Sequence, residues 1–344
     1  MRRLCLFLLL VVLDAFCGAA SVAPTTIRIT IQLPPESLLF QNLKHFKDRV
    51  TEESRGALNV QLFPSSQLYK AQEVPKAVGS GQIEMGAALL SQYVDSVPAT
   101  DIFSVPFLFR EPAIFEAATH SGSGVRGPLD DAIRHATGAR VLWWVPNGTE
   151  AMGSKGAPFR SPSDIAGKRV RVAGRTLAEF IKHCGGIAVI TPGSEQYRFL
   201  QRGEVHGLST SIESFVSRSL WEQADNITLL HHARQAFIVL INERFWQSLS
   251  DNQRHILALA AREAESRAQK QDASVDDQSI ATLLRRGMKV AKASAEELEE
   301  WKSCSSPVSE AFLERSGPTG EKVMSAYRQL LVDFAKGRAP QAPR

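Results

Sequence analysis

From Thr26 onward apolar and polar positions alternate: Ile27, Ile29 and Ile31 are each separated by a polar residue, and Leu58, Val60 and Leu62 repeat the pattern. A period of two is that of a strand with one face in a core. Between the two runs Phe40, Leu43, Phe46 and Val50 recur at helical spacing, so residues 26–63 predict a strand–helix–strand unit. Further apolar runs at 83–90 and 141–145, separated by helix-like stretches such as the one opened by Pro112, extend an α/β domain to about Val145. A second α/β region starts near Gly148. In it Val170 and Val172 mark a strand, and 177–184 a helix opened by a capping-box pair, Thr176 and Glu179, and stopped by Gly185 and Gly186. A further strand and helix follow over 187–202, then a short strand at 205–208. From Ser250 a helical pattern carrying Ile256, Leu257, Ala260 and Ala264 meets no Gly or Pro before Gly287. That is far beyond the ~11–12 residues of an average helix, and predicts a helix crossing from one domain to the other. Ser294 and Glu297 form the capping box that opens a helical C-terminal part. The last few residues, rich in Ala, Pro and Arg, predict a disordered tail.

The first twenty residues differ in kind. Arg2 and Arg3 precede an apolar run from Leu4 to Leu13, and small residues Gly18, Ala19, Ala20 and Ser21 follow. This is the layout of a secretory signal peptide, too short in its apolar run for the ~20 residues of a membrane span. A soluble protein exported to the periplasm is the expectation. Asp14, Ala15 and Phe16 do not give Cys17 the small-residue approach that lipid attachment favours. The chain has 344 residues with 44% apolar and 22% charged side chains, which excludes a disordered, collagenous or disulfide-dense miniprotein class and suits two globular domains. Its net charge of +4 is spread along the chain without a basic cluster, so no nucleic-acid partner is expected. Outside the signal only Cys184 and Cys304 remain. An oxidising compartment permits a disulfide between them, but their remote, isolated positions read first as two separate buried thiols.

Gly122, Gly124 and Gly127 spell a dinucleotide-type G-x-G-x-x-G, but a helix-like segment ending at His120 precedes it where a strand is required, so a helix stop and loop is expected. His231 and His232 are adjacent without a ligand at i+3 or i+4, and read as packing or solvent residues. No nucleophile elbow, Walker A loop or H-E-x-x-H is present, and no cofactor is expected. Asn147-Gly148-Thr149 and Asn226-Ile227-Thr228 match a glycosylation sequon by chance composition. More informative is 167–172, Gly-Lys-Arg-Val-Arg-Val. Alternation puts Arg169 and Arg171 on one face and Val170 and Val172 on the other, and a strand in a two-domain protein can aim one guanidinium fork at a carboxylate in the cleft.

The runs Phe63-Pro64-Ser65-Ser66-Gln67-Leu68, Glu73-Val74, Gly81-Gln82-Ile83-Glu84-Met85-Gly86, Val105-Pro106-Phe107-Leu108-Phe109, Asp164-Ile165-Ala166-Gly167-Lys168-Arg169-Val170-Arg171-Val172 and Thr191-Pro192-Gly193-Ser194-Glu195, with Asn242-Glu243, Trp246, Leu249 and Gln253, closely resemble the TRAP-transporter solute-binding proteins, the DctP-like family. The resemblance covers Thr26 to about Glu265. It implies an α/β, two-domain, periplasmic-binding-protein-like fold with a long interdomain helix and a central ligand cleft. The domains would be 24–147 plus 236–275 and 148–235 plus 276–338, with 339–344 as tail. The cleft would close on an organic acid and present it to a sodium-coupled membrane permease. By this resemblance Arg171 pairs with the ligand carboxylate.

Departures from the family pattern bear on the ligand. Many members carry a second arginine directly after the Asn-Gly-Thr motif, where this chain has Glu150. Two-arginine recognition of a dicarboxylate or sialic acid is thereby disfavoured, and Glu150 is open to three roles: accepting ligand hydroxyl or ammonium hydrogens, holding a metal ion, or pairing with Arg171. The polar side chain usual after the short Asp-Gly strand gives way to His206-Gly207-Leu208-Ser209-Thr210, in which Ser209 and Thr210 remain donors. Leu89 stands where some relatives have an acid, and Trp144 and Phe237 are placed to stack on an apolar ligand body or to serve the core. The expected site is therefore Arg171 as anchor, with Glu150, Trp144, Asn147, Leu89, Ser209, Thr210 and Phe237 setting selectivity for a monocarboxylate in a monomeric protein. The competing functions are a ligand-sensing subunit for a membrane receptor and a periplasmic enzyme using Glu150 as general base.

Overall fold

The alternating isoleucines form β1 (Thr25–Thr30), the helical spacing forms α1 (Leu38–Ser54), and the second alternation forms β2 (Leu58–Phe63), parallel to β1 with Ile27 opposite Val60. Ser37 caps α1 by accepting from the Phe40 N–H, and Arg55 in the left-handed conformation ends it. The computed structural model describes residues 23–337; the expected signal peptide at 1–20 and the tail at 339–344 lie outside the described residues. After β2 the chain runs through α2 (Val74–Ser80), β3 (Met85–Leu89), α3 (Pro112–Thr119) and α4 (Arg126–Thr137) into the long strand β4 (Ala139–Ser154). Then come α5 (Pro162–Ile165), β5 (Arg169–Val172), α6 (Arg175–His183), β6 (Ile187–Ile190), α7 (Gln196–Gln201), β7 (Gly207–Ser211), α8 (Ile212–Ser217), β8 (Asn226–Leu229) and β9 (Arg234–Asn242). The chain ends through α9 (Glu243–Ser248), α10 (Asp251–Arg285), β10 (Lys289–Lys292), α11 (Ala295–Ser305) and α12 (Pro307–Ala335).

Two sheets share β4. Its first part pairs antiparallel with β9, closing the order β2-β1-β3-β9-β4, and its last five residues pair with β7, opening the order β4-β7-β5-β6. The first sheet has cores on both faces. Ile27, Ile29, Phe46, Trp143 and Ile241 fill one with α1 and α10; Val78, Phe103, Phe115, Trp144 and Ile238 fill the other. The second sheet likewise buries Val170, Val172 and Phe180 on one face and Leu208, Phe215 and Ile227 on the other. These are two domains. At 35 residues α10 is roughly 50 Å long at ~1.5 Å per residue, and runs from the first domain's core at Leu257 and Ala260 to the second's at Leu283, as the sequence predicts. Ala260, Ala261, Ala264 and Ala268 let it approach α1 closely enough for Asn42 Nδ2 to donate to the Ala264 carbonyl at 2.6 Å, while Asn42 Oδ1 accepts from Trp143 Nε1 at 3.0 Å.

The glycine triplet is the expected stop and loop: α3 ends at Thr119, Gly122 takes φ 86°, and α4 begins at Arg126. Three expectations change. Thr176 and Glu179 do not cap α6, whose N-cap is Gly174. The Thr176 hydroxyl and N–H go instead to Asp101 of the first domain, and Glu179 pairs with Arg315 at 2.8 Å. The assignment of 276–338 to the second domain also fails for its last part. Val308 lies in a second-domain core, but Phe312, Val323, Met324, Tyr327 and Leu330 pack into the first domain's core, and α12 breaks at Gly317 (φ 54°, ψ −150°), ahead of Pro318 and after Phe312. Finally, Cys184 and Cys304 are joined by a disulfide with Cα atoms 5.1 Å apart, where two separate thiols were expected. Phe180 of α6 and Trp301 of α11 pack with ring centroids 5.4 Å apart, and one helical turn beyond each of them stands a cysteine.

Among the described residues no helix is long and apolar enough to cross a membrane.

Candidate ligand-binding site

Val170 and Val172 point into one core of the second domain, so Arg171 points to the sheet's other face, as the alternation requires. Arg169, on that same face, is exposed and donates to the Gly203 and Glu204 carbonyls. Arg171 is only 2% exposed. Its Nε and Nη2 donate to the Thr191 carbonyl at 3.1 and 2.5 Å, and its Nη1 to the Ser209 carbonyl at 3.3 Å. A guanidinium has five N–H donors in a fixed fork. These three bonds leave one N–H on each Nη free for ligand oxygens. Burial lowers the Arg171 pKa to about 9, opposed by Glu150 and reinforced by Arg218, so it remains charged at neutral pH.

The strands around it place this fork at the carboxyl edge of the second sheet. β5, β6 and β7 run parallel, and the Thr191 carbonyl lies just past the end of β6. In the first domain β1 and β3 run parallel and end near Gln32, Leu89 and Gln92. Carboxyl ends of parallel strands are the ligand-binding edge of open α/β sheets. The two edges meet: a Cβ built on Gly174 would stand 3.5 Å from Ser91 Cβ. Both carry unspent polar atoms. Gln92 Nε2 donates to Gln32 Oε1 at 3.2 Å, which leaves the buried Gln32 Nε2 without an acceptor, and Gln196 Nε2 donates to Thr210 Oγ1 at 3.1 Å, which leaves Gln196 Oε1 without a donor. Gln32, Gln196 and Arg218 were not anticipated from sequence. Nothing local marks them, because each acquires its place from a strand end or a loop distant in the chain.

Glu150 lies on the face opposite to Arg171, on the side where Met152, two residues on, joins the core of Val170 and Val172. Among the described residues no ion pair joins Glu150 to Arg171. The carboxylate instead accepts from Ser209 Oγ at 2.7 Å, and that hydroxyl also meets His232 Nε2 at 2.8 Å. Burial raises the Glu150 pKa to about 7, against the Ser209 hydrogen bond and the Arg171 charge, and lowers that of His232 to about 3. His232 is thus neutral, stacked on Phe180, with Nδ1 unpartnered. Ser209 meets the imidazole Nε2, but its hydroxyl donates to Glu150, no carboxylate among the described residues orients Nδ1, and the serine is wholly buried, so the third member of a nucleophile–base–acid arrangement is missing. No group of three or more metal-ligating side chains occurs among the described residues.

The Glu150 shift carries a signed prediction. A carboxyl whose pKa rises from 4.5 unfolded to about 7 folded keeps its full contribution below pH 4.5 and loses it progressively as pH rises to 7. Glu150→Gln retains an acceptor for Ser209 and removes the titration. The variant should therefore be more stable than the parent at pH 8, by about 1–3 kcal/mol, and the gain should vanish by pH 4.5. Denaturant titrations at the two pH values check this, and since His232 is common to both proteins its opposite slope cancels. An equal difference at both pH values would refute the buried neutral acid.

The other expected residues divide. Asn147 donates to Ser211 Oγ at 3.2 Å between the domains, and with Val145, Phe237, Leu39 and Glu213 it lines a small cavity of about 20 Å³, room for about one water. Leu89 ends β3 opposite Phe237, and Thr210 faces Gln196, on the side of the sheet away from Ser209. Arg171 is not among the residues lining that cavity. Trp144 leaves the site altogether. A bulge between Val141 and Trp143 puts Leu142 and Trp143 on one face and returns Trp144 to the far core, where its Nε1 donates to Asp130 at 2.9 Å and its ring meets Phe103 and the Arg126 guanidinium. It is a core residue.

Known proteins share this architecture. The C4-dicarboxylate-binding periplasmic protein DctP of Rhodobacter capsulatus is 24% identical over 319 residues, 89% of this chain and 95% of that protein. The 2,3-diketo-L-gulonate-binding periplasmic protein YiaO of Escherichia coli is 28% identical over 64% of this chain and 67% of its own length. Among solved structures, a Bordetella pertussis extracytoplasmic solute receptor binding pyroglutamic acid superposes with a TM-score of 0.84 at 23% identity, covering 88% of this chain and 99% of that one. The Advenella mimigardefordensis sugar acid binding protein in complex with galactonate gives 0.84 at 22% identity, covering 90% and 99%. At these identities the structures show a common fold. Residues 29–316 match the family described as bacterial extracellular solute-binding protein, family 7, and the chain therefore belongs to this DctP family of TRAP-type solute-binding proteins.

Proposed function

We propose that the protein captures an organic monocarboxylate in the periplasm, between its two domains, and delivers it as a monomer to a sodium-coupled TRAP permease in the membrane, residues 1–20 having directed its export. The observation that carries this reading is the Arg171 fork, with one N–H free on each Nη at the meeting of the two strand edges. With Glu150 largely neutral below its pKa of about 7, one ligand carboxylate balances the Arg171 charge. Relatives whose names state a ligand are described as binding C4-dicarboxylates, 2,3-diketo-L-gulonate and sialic acid, all organic acids.

Opening and closing would turn where the chain passes between domains, near 147–148, 235–236 and 275–276, and again within α12, where Val308 and Phe312 join different cores. One buried cluster ties the first three places. Arg234 donates to Thr149 Oγ1 and to Asp272 Oδ2, both at 2.7 Å, and Asp276 accepts from the Thr149 N–H at 3.2 Å. It would act as a pivot that survives domain separation.

A thermal-shift screen of the mature chain against organic acids, with and without divalent cations, tests the proposal. A ligand at ~100-fold excess over its Kd should raise the melting temperature by roughly 3–5 °C. Shifts confined to amines and neutral sugars would overturn it.

A further inference from the structure

Arg218 follows α8 and has no role in the site as the family resemblance frames it. Its buried Nε–H finds no acceptor among the described residues. The carboxyl nearest in charge, Glu213, is occupied by Ser217 Oγ at 3.2 Å and by the backbone of Leu38. The guanidinium lies flat against Gly193: a Cβ built there would stand 2.9 Å from Arg218 Nη2 and 3.3 Å from its Cζ. Gly193 has a φ open to any residue, so it is the missing side chain, not the backbone conformation, that gives Arg218 this place. Gly193 follows by two residues the Thr191 whose carbonyl holds Arg171, and two residues of chain span at most ~7 Å. The two guanidinium groups therefore bracket one short segment at the end of β6, within reach of one small molecule. Gln196, three residues beyond Gly193, adds the unpartnered Oε1 acceptor described above.

We infer that Arg218 is a second ligand-binding residue, admitted by Gly193, that donates to an oxygen of the ligand other than those held by Arg171, so that the protein selects carboxylic acids bearing an oxo, hydroxyl or ring oxygen over their deoxy counterparts. A guanidinium N–H with no acceptor in a buried site is satisfied by a ligand oxygen and left unsatisfied by a methylene, and sites of that kind reject the deoxy analogue strongly. The mutual repulsion of Arg171 and Arg218, which helps to depress the Arg171 pKa, is relieved by the same ligand. This inference rests on the organic-acid reading and deepens it.

The test is calorimetry on the intact mature chain with matched acid pairs: 2-oxobutanoate and butanoate, 4-oxopentanoate and pentanoate, tetrahydrofuran-2-carboxylate and cyclopentanecarboxylate. At least one oxygenated member should bind on the order of 10- to 100-fold tighter than its partner. In Arg218→Gln that ratio should fall to near one while carboxylate-dependent binding persists. Gly193→Ala approaches the same contact from the other side, and should lower the ratio by displacing the guanidinium without altering Arg218 itself. A ratio unchanged in both variants, or no oxygen preference in a parent that does bind these acids, overturns this inference and leaves the organic-acid reading standing. Failure of the parent to bind any of the six overturns both.

Discussion

Arg171→Ala should weaken ligand binding by at least 100-fold, to the limit of calorimetric detection for any acid that shifts the melting temperature of the parent. The size of the effect follows from the fork. Arg171 spends three donors on the Thr191 and Ser209 carbonyls and keeps two for the ligand, so the protein fixes the guanidinium before the carboxylate arrives. A preorganised, buried, charge-assisted pair loses little entropy on binding, and removing one partner strands the other charge where water does not reach it. Arg171→Lys separates charge from geometry. A single ammonium cannot serve both carbonyls and two ligand oxygens, so its affinity should fall at least tenfold although the charge is kept. The alanine variant also leaves two buried carbonyls short of donors, so its far-UV spectrum and melting curve must first establish that it folds. Affinity within threefold of the parent in a folded Arg171→Ala protein would remove Arg171 from the site.

What the sequence disclosed and what it concealed divide along the range of the interactions. The strand–helix–strand start, the stop after α3, the crossing helix α10 and the facing of Arg171 all depend on periodicity or capping within a few residues, and the structure reproduces them. Alternation carried Arg171 correctly because β5 is regular; in β4 one bulge exchanges the faces of the residues after it and settles Trp144 into the core, one of the two roles left open for it. Thr176 and Glu179 have the spacing of a capping box, yet partners from β3–α3 and from α12 outcompete the local bond, a tertiary choice that no window of four residues reveals. Glu150 and Arg171 read as neighbours because both were assigned to the cleft, whereas the sheet lies between them. Arg218 gave no signal at all, since its meaning comes from the absent side chain at Gly193.

The second large effect concerns stability. Replacing Cys184 and Cys304 together by alanine, or reducing the parent, should cost about 2–5 kcal/mol and lower the melting temperature by roughly 3–8 °C. The cysteines are 120 residues apart, and the chain-entropy estimate for so long a loop is near the upper end of that range, at about 5 kcal/mol. The closed segment leaves the second domain along β9, traverses the first along α10 and returns at β10, so cross-linking its ends restrains much of the unfolded chain. In the folded protein the restraint is local. Cys184 and Cys304 both pack against the same second-domain core, beside Phe180 and Trp301, whose indole N–H donates to the Arg160 carbonyl at 2.8 Å. No part of the bond spans the two domains. The disulfide-free protein should therefore retain its affinity for the ligand within about threefold below its lowered melting temperature, while reductant should shift the parent and leave the double variant unmoved. Coincident melting curves for parent and double variant would show that the bond contributes nothing. Lost affinity at a temperature where both remain folded would show instead that the α6–α11 contact is coupled to the cleft, and that stability and binding in this protein cannot be adjusted separately.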